Sequence, residues 1–158
     1  MGPFVGSSAF MRIRQQRMVR KHTRDYLGGK PWPADGRQSA TRVSPEAVGG
    51  WLEMFAIGLQ TIGMFPWAEE YHDGSYTLWL RDTAVSSWAT VDYVPQQSTF
   101  AVYQSGPRRL WDEVEAAFLW WNQQGRPGFG RLGLTVDAKS GKHTPWLLSP
   151  DHPLPVMG

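Results

Sequence analysis

The residue types in this chain that are able to do chemistry are present, but their spacing assembles no reaction centre. Gly128, Gly130 and Gly133 spell G-x-G-x-x-G. A cofactor loop of that kind follows a strand and opens a helix. These glycines follow a helical stretch and open a strand, so no cofactor-binding role is expected of them. The histidines are His22, His72, His143 and His152. None has the helical i, i+4 pairing that holds zinc, and His72, within Glu69-Glu70-Tyr71-His72-Asp73, reads as a solvated turn. Glu69/Glu70 and Asp112/Glu113 are expected to be exposed, without the unequal surroundings that split the pKa values of an acid–base pair. There is no G-x-S-x-G elbow and no Cys, which excludes thiol nucleophiles, thiolate zinc sites and disulfides. The expectation is a chain with no catalytic residue, cofactor ligand or metal ligand of its own.

Recognition is better served. Trp79 and Trp88 alternate out of phase with the Leu and Val residues of their strands. They therefore belong on the sheet face opposite the apolar one. Near Arg108 and Arg109 they form a candidate patch for gripping an extended peptide. The competing expectation is that this second face is covered, by a helix over residues 45–60 or by another domain.

The elements that must position these residues follow from periodicity. Leu110, Trp111, Val114, Ala117, Phe118 and Trp121 recur at helical steps, which predicts a helix over Pro107–Gln124. Pro107 suits its first turn, Asp112, Glu113 and Glu115 its positive end, and Gly125 with Pro127 its termination. Leu132, Leu134 and Val136 alternate as a strand, Asp137–Gly141 is turn chemistry, and His143–Leu148 returns as an edge strand. Upstream, Ser44-Pro45-Glu46 reads as a helix start. Val48, Trp51, Leu52, Phe55 and Leu59 are expected on its buried face, with Gly63–Pro66 ending it. Strands are predicted at Tyr76–Arg81, Ser87–Tyr93 and Phe100–Gln104. The fold class is α+β: a small antiparallel sheet, chain order α-β-β-β-α-β-β, with two helices. Residues 43–150 form this domain, residues 151–158 a tail, and residues 1–42 a basic, poorly structured arm with one short strand at Ala9–Arg14.

Charge divides at that boundary. Residues 1–42 hold nine Lys/Arg against two acids, and residues 43–158 hold seven against twelve. A basic arm on an acidic body fits an acidic peptide or protein partner. It also raises a nucleic-acid reading, which no recognition helix or stacking signature supports. The 158 residues contain no apolar run near the ~20 residues that span a bilayer. The N-terminus has the wrong charge order for a signal peptide, so a cytoplasmic location and no membrane partner are expected.

The stretch "GPRRLWDEVEAAFLWW", then "GRP", "FGRLGLTV" and "WLLSP", resembles the C-terminal region of actinobacterial methyltransferases related to protein-L-isoaspartate O-methyltransferase. These enzymes accompany ATP-grasp ligases or lanthipeptide enzymes and methylate carboxylates of a modified precursor peptide. Ala9–Arg17 resembles the point where the family's catalytic domain ends. Ile13 and Gln15 depart from the family pattern, and Leu148 stands where the family has Asp. The resemblance implies an accessory region for peptide recognition or active-site closure. It also implies that S-adenosylmethionine belongs to the parent family and that the catalytic domain which binds it is not part of this chain. A stand-alone peptide-binding module acting in trans is the alternative.

Overall fold

The computed structural model describes residues 37–154. The arm up to Gly36, including the strand expected at Ala9–Arg14, and the last four residues of the tail lie outside them. The described chain is α+β. Its strands are β1 (Arg37–Thr41), β2 (Phe65–Glu70), β3 (Tyr76–Asp82), β4 (Ser87–Tyr93) and β5 (Phe100–Ser105), then β6 (Leu132–Val136) and β7 (His143–Leu147). Its helices are α1 (Pro45–Val48), α2 (Trp51–Gln60) and α3 (Leu110–Gln123). β1 to β5 form one antiparallel sheet in the order β1-β5-β4-β3-β2, and β6-β7 is a separate hairpin.

β2 to β5 are a meander, each strand pairing with the next in sequence. Alternation gives the sheet two distinct faces. Leu78, Leu80, Ala89, Val91, Phe100 and Val102 join one core cluster with Ala56, Ile57 and Leu59 of α2 and with Leu110, Trp111, Val114, Ala117, Phe118 and Trp121 of α3. The α3 stripe predicted from spacing is thus buried as a unit.

Three expectations need correction. First, α3 begins at Leu110 rather than Pro107. Gly106 turns the chain with φ +96°, where an added Cβ would meet the Ser86 carbonyl oxygen at 2.6 Å. The exposed Pro107 then sits in a loop. A tertiary contact supplies the cap instead: Gln104 Oε1 accepts from the Trp111 N–H at 2.9 Å, and its Nε2 donates to Asp112 Oδ1 at 2.9 Å. Second, the helix expected from Ser44 is two helices. Ser44 Oγ does accept from the Glu46 N–H at 3.2 Å, but Gly50 is extended and becomes the N-cap of α2. The break changes which side of the second helix is buried. Val48, Ala56, Ile57 and Leu59 face inward, while Trp51 is 93% exposed and Phe55 is also exposed. Third, two strands go beyond the predicted set. β1 occupies the end of the expected arm, and β2 follows directly on the Gly63–Met64 turn.

The C-terminal hairpin matches its prediction closely. Asp137 Oδ1 accepts from the Lys139 and Ser140 N–H groups at 3.0 and 2.7 Å, tying the turn. The indole of Trp146 lies against Gly133, in the space any side chain there would fill. The third glycine of the G-x-G-x-x-G run therefore serves strand packing.

Candidate functional site

Trp79 and Trp88 do lie on the sheet face away from the helices. Trp79 is paired across strands with Trp67 and Thr90, and Trp88 with Arg81 and Ser105. They are not exposed, at 2% and 5% accessibility, and Thr77, Thr90, Asp92 and Tyr103 of the same face are buried too. The 45–60 helices pack on the other side, so they are not the cover expected for this one. Trp67 stacks on Trp79 with ring centroids 5.4 Å apart and planes within 4°. The Arg81 guanidinium lies 5.6 Å from the Trp67 ring centroid.

Arg108 is held by its neighbours. Its Nη1 donates to Asp82 Oδ2 at 2.7 Å and to the Ile62 carbonyl at 2.8 Å. Its Nε and Nη2 grip both oxygens of Glu113 as a fork. Its backbone N–H donates to Ser87 Oγ at 2.9 Å. The guanidinium beside Asp82 holds that carboxyl below its ordinary pKa. Arg108 thereby ties the start of α3 to β3, β4 and the end of α2. Arg109 is the N-cap residue of α3 without a side-chain cap bond, and its Nη1 donates to the Gln104 carbonyl at 3.4 Å.

A feature not anticipated from sequence lies on the tryptophan face. Asp92 is buried, and Thr77 Oγ1 donates to its Oδ1 at 2.9 Å. With that hydroxyl proton engaged, Tyr71 OH donates to Thr77 Oγ1 at 3.1 Å. Asp92 Oδ2 has no hydrogen-bond partner. Burial lifts the Asp92 pKa from 3.8 to about 7, with the Thr77 hydrogen bond opposing the shift. Burial also raises the pKa of Tyr71.

A groove of about 400 Å³ opens on the helix side, where the start of α2 meets β2 and β3. Its apolar walls are Trp51, Met54, Pro66 and Leu78, with Tyr76 adding aromatic surface and Glu70 a carboxylate. The Gly49-Gly50 break opens it, because an uninterrupted helix would have carried Trp51 round with Val48. Tyr76 stacks on Tyr93 with centroids 4.8 Å apart, and Tyr93 OH donates to Glu46 Oε2 at 2.8 Å. The Tyr76 phenol is pushed up to about 12, first by burial, then by the negative charge of Glu46, by Tyr93 and by Glu70. Neither carboxylate forms an ion pair among the described residues, where Arg108 holds the ion pairs to Asp82 and Glu113. The groove therefore combines aromatic and aliphatic walls with a negative field.

The described residues contain no group of three or more His, Cys, Asp or Glu side chains placed to hold a metal. Within them, no helix is long and apolar enough to cross a membrane. No family model matches this sequence, and neither a curated protein nor a solved structure matches it.

Proposed function

We propose that this chain is a non-catalytic peptide-recognition domain. In this reading it is the accessory C-terminal region of a carboxylate O-methyltransferase of the isoaspartate type, with S-adenosylmethionine held by another domain or chain. The observation that carries the reading is the groove. Trp51, an aromatic residue 93% exposed, stands at the mouth of an apolar groove. Exposed aromatic surface of this kind marks recognition sites. The resemblance of Gly106–Pro150 to the methyltransferase region supplies the pathway context, and the basic arm supplies a second contact suited to acidic segments of a precursor peptide. Trp79, Trp88, Arg108 and Arg109 enter as support for the fold that presents the groove. A cytoplasmic location belongs to the same proposal, in keeping with a chain that lacks Cys.

Two titrations test it. The full chain is expected to bind precursor-type peptides saturably, and Trp51→Ala, a change at an exposed position, to weaken that binding about tenfold or more. Calorimetry with S-adenosylmethionine is expected to give no saturable heat. Micromolar binding of that cofactor by the chain alone would contradict the accessory role.

A further inference from the structure

We infer that the groove between α2 and β2 selects a basic residue, lysine or arginine, in an extended peptide. This rests on the peptide-recognition reading above and names the chemistry that the same site takes. Three observations converge. The walls of Trp51, Met54, Pro66 and Leu78 match the aliphatic stem of a long cationic side chain. The aromatic surfaces of Trp51 and Tyr76 offer the negative π faces that attract a cationic head. Glu70 lines the groove, and Glu46 is close enough for its charge to act on the Tyr76 phenol; neither is paired with a cation among the described residues.

The sign of that field decides the occupant. An acidic side chain would enter against two carboxylates, and a purely apolar one would leave them without compensation. A basic residue satisfies both the apolar walls and the charge. The selectivity is thus opposite in sign to that of the arm, so one peptide would carry a basic anchor for the groove and acidic segments elsewhere.

The test uses the full chain and fluorescence titration with four glycine- and leucine-based peptides, identical except for one central residue: lysine, arginine, norleucine or glutamate. The lysine and arginine peptides are expected to bind about tenfold more tightly than the norleucine peptide, with the glutamate peptide weakest. Glu70→Gln, a change at an exposed residue, is expected to erase most of the preference for lysine over norleucine. Equal affinity for the lysine and norleucine peptides would overturn the inference and leave peptide recognition standing. Failure of all four, together with failure of precursor-type peptides, would overturn both. Tetramethylammonium binding as tightly as the lysine peptide would overturn the inference in favour of a small-cation site.

Discussion

Asp92 sits in the sheet with one carboxyl oxygen on Thr77 and the other without a hydrogen-bond partner, and burial holds its pKa near 7. Its folded value is raised above the ordinary 3.8, so the native state binds the proton more tightly than the unfolded chain does. The stability it contributes is present below about pH 4 and is lost as pH rises toward 7. Urea unfolding of Asp92→Asn against the parent chain tests this. The variant is expected to gain a few kcal/mol relative to the parent between pH 4 and pH 8. A difference that does not change with pH would contradict the assignment. Asp82 has the opposite sign: its pKa is depressed by Arg108, so its contribution is lost as pH falls below the carboxylate range. Arg108→Ala would leave Asp82 and Glu113 buried without their cation, and a loss of about 3 kcal/mol is expected in the same assay. A cost under about 1 kcal/mol would argue that the fork on Glu113 is superficial. Leu148 takes φ +69° in the left-handed region, which a branched apolar side chain occupies at a cost and Asn or Asp more readily. Leu148→Asn is expected to raise the melting temperature by a few degrees, as about 0.5–1 kcal/mol of strain is relieved.

At the scale of elements, the legible parts were those whose pattern is local. The α3 stripe, the β3 and β4 alternation and the β6-β7 turn each repeat at their own period, and each lies where the spacing puts it. The two missed strands carry no such pattern. β1 reads Arg37-Gln38-Ser39-Ala40-Thr41, nearly all polar, and is a strand because β5 pairs with it. β2 contains Pro66 and the adjacent acids Glu69 and Glu70, which argue against a strand, yet its register with β3 holds from Phe65 to Glu70. The start of α3 was misplaced because its cap comes from Gln104, a residue outside the helix. The groove was hidden for a related reason. Trp51 shares a helical period with Val48 and Phe55, and only the break at Gly49-Gly50 turns it outward. At the hairpin, Gly133→Ala is expected to force the Trp146 indole out of place and to raise hydrogen exchange across β6-β7, with the five-stranded sheet unaffected. Unchanged exchange at Leu132–Val136 would contradict the close packing of that pair.

The described residues join an antiparallel scaffold to an open aromatic groove. A sheet with a buried face on each side gives the chain little reason to move when it binds, so recognition is expected near the start of α2 and along β2, with no rearrangement of the core. The buried face of Trp79, Trp88 and Asp92 makes the same point from the opposite side. Residue types that read as a binding patch are buried there, because alternation fixes which face a side chain occupies and says nothing of what lies over it. The account therefore stands on Trp51 as the point of contact. The most direct measurement is a proton–nitrogen correlation spectrum of the full chain, titrated with the lysine-centred peptide and read at the assigned indole N–H signals. The Trp51 signal is expected to move saturably while those of Trp79, Trp88, Trp111 and Trp121 stay in place. Saturable movement at Trp79 and Trp88 with Trp51 unmoved would contradict it.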